Sequence, residues 1–175
     1  KIEGDLLVFV PEESRAGKQV VSKAARDIKI SMVMPQNEWN SAQVFPSCVW
    51  TPQGLAKFVA HLGPEMEKRG VEVFLGTLER PDEQQAMIPI NDPIAGKYIK
   101  GVGVQWAGKG ATPFIHRAKP ELRIYQSEQQ CGDGKNDWRF ARHAWHLMKH
   151  YFENGATGYM YWNMALEEGG VSRWG

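Results

Sequence analysis

Two glutamates stand out because each one closely follows an apolar run that is typical of a buried strand. Glu38 comes after residues 28–34, and Glu128 comes after residues 122–125. An ionised carboxylate is costly to desolvate in such a place unless it is paired or has a chemical task. Neighbouring strands of one barrel would bring both side chains to the same edge. The pattern therefore predicts a site with two carboxylates.

Two carboxylates at one site can cleave a glycosidic bond with retention of configuration. One carboxylic acid protonates the leaving oxygen and the other carboxylate attacks the anomeric carbon, at a separation of about 5–5.5 Å. Nearby residues suit a sugar, since they offer an amide donor, two aromatic faces and a second polar side chain: Asn37, Trp106, Trp162 and Asn163. This chemistry needs no cofactor, and we expect none.

Predicted strands alternate with predicted helices along the chain. The strands are residues 28–34, 71–75, 99–104, 122–126 and 158–164, and the clearest helices are residues 51–62 and 137–154. This alternation predicts a parallel sheet of βαβ units. A complete (β/α)8 TIM barrel needs about 200–250 residues. We therefore expect residues 28–175 to be the later part of such a barrel, about strands 4 to 8, preceded by a lead-in of residues 1–27.

Turn and cap residues divide these elements. Thr51 and Pro52 predict a helix start, and Gly63 followed by Pro64 predicts that this helix breaks before a short second piece at residues 64–69. Residues 79–93 are rich in Pro and Asp, which predicts an irregular stretch. We expect the carboxylates of that stretch to be solvated, although loops at this face of a barrel often shape outer subsites.

Composition excludes some partners. The chain has 21 basic and 20 acidic residues without a basic cluster, so nucleic acid is not an expected partner. Seven Trp residues favour a surface on which a flat sugar ring can stack. No apolar run is long enough to predict a membrane span, and the first residues do not resemble a secretory signal.

Several other residues have alternative interpretations. Cys48 and Cys131 lack the spacing of a metal or redox motif, so we interpret them as free, packed thiols. The histidines of the last helix have a spacing that could hold a metal, but without an H-E-x-x-H motif a solvated helix face is favoured: His143, His146 and His150. Trp138 and Trp145, seven residues apart on that helix, are predicted to lie in the core. For Trp39, a core position and a site position are equally consistent with the sequence.

Six collinear motifs together resemble glycoside hydrolase family 30, the glucosylceramidase-like family of clan A. The motifs are Pro35-Gln36-Asn37-Glu38, Phe45-Pro46-Ser47-Cys48-Val49-Trp50-Thr51, Leu62-Gly63-Pro64, Gly101-Val102-Gly103-Val104-Gln105-Trp106, Ser127-Glu128, and Tyr161-Trp162-Asn163-Met164-Ala165-Leu166 with Gly169-Gly170. The chain departs from many members at Trp39, where they have Pro, and at Gln105-Trp106-Ala107, where they have His-Trp-Tyr. We therefore expect an altered first sugar subsite. The β-sandwich that usually accompanies the family's barrel is not recognisable in the sequence.

The resemblance implies a retaining β-glycosidase with Glu38 as acid/base and Glu128 as nucleophile. It also implies that Asn37, Trp39, Gln105, Trp106, Trp162 and Asn163 bind a carbohydrate substrate, and that the enzyme works in an extracellular, periplasmic or lysosome-like compartment. We expect apolar neighbours and the charge of Glu128 to raise the pKa of Glu38. The alternative is a catalytically incomplete barrel fragment that binds carbohydrate. The sequence leaves the sugar, the linkage and the oligomeric state open.

Overall fold

The computed structural model describes residues 30–44, 47–129 and 137–162. The chain divides into two compact units, Lys1–Ser31 and Met32–Gly175, and all the strands and helices that follow belong to the second. The predicted lead-in, residues 1–27, lies outside the described residues.

Five strands of the described residues form one parallel sheet in chain order, β1-β2-β3-β4-β5. The strands are β1 Met32–Val33, β2 Glu72–Leu78, β3 Ile99–Gln105, β4 Arg123–Glu128 and β5 Ala156–Tyr159. One α-helix precedes each strand from β2 onward: α1 Pro52–Glu67, α2 Glu83–Asn91, α3 Thr112–Ala118 and α4 Trp138–Glu153. Short 3₁₀ turns cover Ala95–Lys97 and Trp106–Ala111. This sheet and its helices form a partial (β/α)8 barrel, as the alternating pattern predicted.

The first and last strands are shorter than predicted. β1 covers only Met32–Val33 of the predicted residues 28–34, and residues 28 and 29 lie outside the described part. Pro35, which has no N–H to donate, follows it closely. β5 begins earlier than predicted, at Ala156, because Ala156 pairs with Ile124 of β4, and it ends at Tyr159.

Helix α1 is continuous, so the predicted break at Gly63 and Pro64 is wrong. Thr51 caps the helix start by accepting a 3.0 Å hydrogen bond from the Gly54 N–H, and Pro64 lies within the last turns of the helix. Gly63 serves packing here, because a Cβ at this position would lie 2.3 Å from the ring of Tyr98. Close approach of Tyr98, rather than a turn, accounts for the glycine.

Two helices were missed by the sequence interpretation. α2 occupies most of the stretch predicted to be irregular, since the Asp82 carboxylate caps it by accepting a 3.0 Å hydrogen bond from the Gln85 N–H. Its apolar side chains Ala86 and Ile90 are buried. α3 is short and begins at Thr112, where Pro113 occupies a first-turn position that tolerates the missing N–H. The prolines in both segments obscured the helical pattern.

The core lies between the sheet and its helices. Its fully buried apolar side chains include Leu55, Val59, Leu75, Val102, Val104, Ile115, Ile124 and Tyr151. The prediction that Trp138 and Trp145 lie in the core is wrong, because they are 81% and 63% exposed. α4 buries Leu147 and Tyr151 instead. Leu147 lies two positions after Trp145, and residues two positions apart on an α-helix point in directions about 200° apart. Within the described residues, none of the helices has the length and apolar character that a membrane crossing requires.

Candidate active site

Glu38 lies in a turn that follows β1 and is hydrogen-bonded to the end of β2. Its backbone N–H donates to the Thr77 hydroxyl at 2.8 Å, and the Trp39 N–H donates to the Thr77 carbonyl at 3.2 Å. The Glu38 side chain is buried, with a residue exposure of 6%. These bonds fix the carboxylate at the carboxyl edge of the sheet, the edge at which α/β barrels build their active sites.

Two residues at this edge adopt left-handed backbone conformations that glycine usually occupies. Glu38 has a φ of 46° and Trp106 has a φ of 42°. Such a conformation costs an L-residue roughly 1–2 kcal/mol, and residues of this kind cluster at functional sites. The fold therefore holds both residues in backbone conformations that local energetics do not favour.

The Glu38 carboxylate is held by Gln43. The Gln43 side-chain nitrogen donates to Glu38 Oε2 at 2.9 Å and also to the Ser41 hydroxyl at 2.8 Å. Burial raises the pKa of Glu38, and the charges of Glu128 and Glu79 raise it further, while the Gln43 hydrogen bond and the Arg80 charge lower it. The net direction is upward, as expected. A glutamate of this kind suits a proton donor.

Glu128 is the last residue of β4 and is contacted by the residue that follows β3. The Trp106 indole N–H donates to Glu128 Oε1 at 3.0 Å. Burial raises the pKa of Glu128, and the Trp106 hydrogen bond opposes that effect. A hydrogen bond to the ionised form favours a carboxylate that is ready to attack.

Asn37 and Gln105 connect the two glutamates. Asn37 Oδ1 accepts from the Gln105 side-chain nitrogen at 2.9 Å and from the Thr77 hydroxyl at 3.2 Å. Gln105 in turn lies beside Glu128 in the β3–β4 register, and its nitrogen reaches the Ser127 hydroxyl at 3.3 Å. This chain of bonds runs across the strand ends from the Glu38 backbone N–H, through Thr77, to Ser127, the residue before Glu128. Asn37 itself is exposed, so its amide nitrogen is available to a ligand.

Gln105 has an acceptor that the network does not use. Its side chain is buried, and Oε1 has no hydrogen-bond partner among the described residues. Buried polar atoms are rarely left unpaired, because desolvation without a partner costs roughly 1–3 kcal/mol. The atom is a candidate acceptor for a ligand hydroxyl.

The predicted aromatic residues lie in different environments. Trp106 and Trp162 are both half-buried, and the Trp162 N–H donates to the Gln129 carbonyl at 3.3 Å, beside the end of β4. Trp39 is fully buried and belongs to the core, so the structure does not place its indole on a surface that a sugar could reach. Asn163 lies outside the described residues.

Glu79 is a site residue that the sequence interpretation missed. We expected a solvated loop carboxylate, but Glu79 is only 6% exposed and its charge acts on Glu38. Asp82 and Glu83 are also not in a solvated loop, because they form the start of α2. A signal was present in the sequence, since Glu79 closely follows an apolar run of strand length, as Glu38 and Glu128 do.

The other candidate groups do not assemble into a site within the described residues. No cluster of three or more His, Cys, Asp or Glu that could hold a metal occurs among them. His146 is exposed, and the His150 Nε2 lies 3.1 Å from the Lys109 carbonyl oxygen. Cys48 is free as predicted but exposed rather than packed, and Cys131 lies outside the described part.

Known proteins resemble this chain in sequence and in fold. The mouse lysosomal acid glucosylceramidase is 26% identical over 145 residues, which is 71% of this chain and 28% of the mouse protein. An endo-β1,6-glucanase structure matches with a TM-score of 0.68 and 21% identity, over 84% of this chain and 36% of that chain. A family 30 endoxylanase from Clostridium papyrosolvens matches with a TM-score of 0.66 and 16% identity, over 82% and 37%.

The chain spans less than a third of the length of its curated relative and little more than a third of these two structures. No protein-family model matches it. The relative supports the sequence resemblance, and the solved structures support the barrel fold. Together they confirm that the chain resembles glycoside hydrolase family 30, as its motifs predicted.

Proposed function

We propose that this protein hydrolyses a β-glycosidic bond with retention of configuration. The observation that carries the proposal is the pair of glutamates at the carboxyl edge of one parallel sheet, Glu38 after β1 and Glu128 at the end of β4, close enough that the charge of Glu128 raises the pKa of Glu38. Retaining glycosidases use two carboxyl groups in this way.

In the first step, Glu128 attacks the anomeric carbon while Glu38 donates its proton to the leaving oxygen. The Trp106 hydrogen bond favours the ionised form of Glu128, against a burial that raises its pKa, and burial raises the pKa of Glu38, which favours its protonated form. The glycosidic bond breaks and an ester forms between the sugar and Glu128. In the second step, Glu38 accepts a proton from water, the water oxygen attacks the anomeric carbon, and Glu128 leaves as a carboxylate.

The substrate is a β-linked carbohydrate, either an oligosaccharide or a glycoconjugate. Asn37 donates its amide to a sugar hydroxyl beside the scissile bond, and the unpaired Gln105 Oε1 accepts from another hydroxyl. Trp106 and Trp162 provide apolar faces for the sugar ring, and Asn163 adds a polar contact. The names of the compared proteins describe different substrates, so the sugar is a question for experiment.

We also propose that the catalytic unit begins at about residue 28 and that it works outside the cytoplasm. The compact unit that begins at Met32 supports the first point. The second is supported by the name of the mouse relative, which describes a lysosomal enzyme.

Covalent labelling of the complete protein tests the proposal. We would incubate it with fluorosugars and cyclic epoxides of several sugar configurations, and then map the peptides by mass. A label on Glu128 is expected, and Glu128→Gln should abolish both label and turnover. Glu121→Gln is the matched control, because Glu121 is exposed at the opposite end of β4. A label on another residue, or normal turnover by Glu128→Gln, would contradict the assignment.

The labelling also separates the two readings of the site. Binding of an oligosaccharide without label or hydrolysis would favour the alternative, a catalytically incomplete carbohydrate-binding barrel. The label would in addition identify the sugar configuration, because only a matching reagent reacts at an appreciable rate.

A further inference from the structure

A third carboxylate, that of Glu79, lies at the edge of the sheet that carries Glu38 and Glu128. Glu79 directly follows β2, which lies in the sheet between β1, the strand that precedes Glu38, and β3, the strand that pairs with the Glu128 strand β4. It is more than nine-tenths buried. Charged side chains are almost never buried to this extent unless they are paired or functional.

Asn40 joins the segment of Glu79 to the turn of Glu38. Asn40 Oδ1 accepts from the Glu79 N–H at 3.0 Å and from the Arg80 N–H at 3.2 Å, and the Asn40 side-chain nitrogen donates to the Arg80 carbonyl at 3.3 Å. The Glu38 N–H is bonded to the hydroxyl of Thr77, which lies two residues before Glu79 at the end of the same strand. The two segments are therefore fastened side by side.

The 3₁₀ turn after β3 covers Glu79 from the other side. A Cβ added at Gly108 would lie 2.1 Å from the Leu78 carbonyl oxygen and 3.5 Å from the Glu79 Cα, so this turn touches the end of β2. Lys109 of the same turn is half-buried, and its amine donates to the Trp106 carbonyl at 3.0 Å. Burial lowers the pKa of Lys109, and the charge of Glu79 opposes that effect.

The Glu79 carboxylate is only partly compensated. Its Oε2 lies 3.0 Å from Arg80 Nε, but the angles do not make a hydrogen bond, and Oε2 has no hydrogen-bond partner among the described residues. Arg80 is also half-exposed, so water screens its charge. Most buried polar atoms are hydrogen-bonded, so an unpaired carboxylate oxygen at this site requires an explanation.

We propose that Glu79 is a positioning residue for Glu38, and that Glu79 and Arg80 act in opposite directions to set the pH range in which Glu38 holds the proton that it donates. The inference rests on the acid/base role proposed above for Glu38. Glu79 touches neither the sugar nor the reacting atoms in this scheme. It acts through the field that its buried charge produces at Glu38.

Each group that faces Glu38 has a defined sign. Burial has the largest effect on the pKa of Glu38 and raises it. From β4, the charge of Glu128 raises it, and from its own turn the Gln43 hydrogen bond lowers it. From the end of β2, Glu79 raises it and Arg80 lowers it. Replacing Glu79 by Gln should therefore lower the pKa of Glu38, whereas replacing Arg80 by Gln should raise it.

Titration of Glu38 by ¹³C NMR tests the inference without relying on turnover. The complete protein would be labelled at its glutamate carboxyl carbons, with the Glu38 signal assigned through Glu38→Gln. We expect the pKa of Glu38 to fall in Glu79→Gln, to rise in Arg80→Gln, and to stay near the wild-type value in Glu79→Asp, which keeps the charge.

Glu72→Gln is the matched control. It makes the same change at the opposite end of β2, roughly 20 Å from Glu79 at the usual rise of about 3.3 Å per residue, and should leave Glu38 unchanged. In the pH profile of kcat/KM, the basic limb of Glu79→Gln should move to lower pH, since that limb reports loss of the Glu38 proton.

An unchanged pKa of Glu38 in both Glu79→Gln and Arg80→Gln would overturn the inference. If Glu79→Gln does not fold, Arg80→Gln decides alone. In that case, a pKa of Glu38 that does not rise in Arg80→Gln would overturn the inference. The proposed function fails independently, when no sugar reagent labels Glu128. A label on Glu128 together with an unresponsive Glu38 would leave the hydrolase standing and remove only the role of Glu79.

Discussion

The indole N–H of Trp106 donates a 3.0 Å hydrogen bond to Oε1 of Glu128, and Trp106 adopts a left-handed backbone conformation in doing so. The bond joins the end of β3 to the end of β4 through side chains. It also stabilises the ionised form of Glu128, which is the form that attacks a sugar. Trp106, with its unfavourable backbone conformation, is thus also the residue that bonds to the Glu128 carboxylate.

Removing this indole donor should weaken Glu128 as a nucleophile. In Trp106→Phe, the pKa of Glu128 should rise, because the hydrogen bond that lowers it is lost. The acidic limb of the kcat/KM profile, which requires ionised Glu128, should then move to higher pH. We expect a loss of about 10–100-fold in kcat/KM, as for a hydrogen bond to a charged group worth about 1.5–3 kcal/mol.

Trp50→Phe is the control for that variant. It also removes an indole donor, but that donor bonds to the Cys48 sulfur rather than to a glutamate. The control should leave the acidic limb in place. An equal shift in both variants would show that the effect is not specific to Glu128.

Loss of the Gln43 donor should have the same kind of effect on Glu38. Gln43 lowers the pKa of Glu38 by donating to Oε2, so in Gln43→Met the pKa should rise further. The basic limb of the pH profile should move to higher pH, because Glu38 keeps its proton longer. The same change at Gln84, which is exposed on α2, should not move this limb. A shift to lower pH in Gln43→Met would contradict the geometry.

Gln105 is expected to organise sugar binding rather than proton transfer. Gln105→Leu removes the donor to Asn37 and Ser127 and the unpaired acceptor Oε1. We expect kcat/KM to fall roughly 10–100-fold, largely through a higher KM, with both pH limbs in place. An unchanged KM for substrates of every sugar configuration would exclude a substrate contact. Thermal unfolding should be recorded alongside to separate binding from folding.

Gly63 should be intolerant of a side chain. In Gly63→Ala the new Cβ would lie 2.3 Å from the Tyr98 ring, so α1 or the ring must shift. We expect a loss of about 1–3 kcal/mol in the free energy of unfolding, measured by urea denaturation. Gln53→Ala, on the exposed side of the same helix, should change stability by less than about 0.5 kcal/mol. A stabilised Gly63→Ala would show that the ring moves freely.

The parallel sheet and its two principal glutamates could be predicted from the sequence. Apolar runs of strand length repeat between helical patterns, and each glutamate comes shortly after such a run. Local patterns alone therefore predict which edge of the sheet carries the two glutamates. Thr51 was likewise predicted as a helix cap, because capping depends on residues three positions apart.

The tertiary structure decided which side chains are buried and which face solvent. Trp39 is buried, Trp145 is exposed and Glu79 is enclosed, although sequence patterns favoured a core position for Trp145 and a solvated one for Glu79. Burial depends on neighbours that are distant in the chain: Asn40 binds the segment of Glu79 across about forty residues of sequence. Local periodicity predicts most of the elements that form, whereas the environment of each charge depends on how those elements pack, and that environment shifts the pKa of each glutamate.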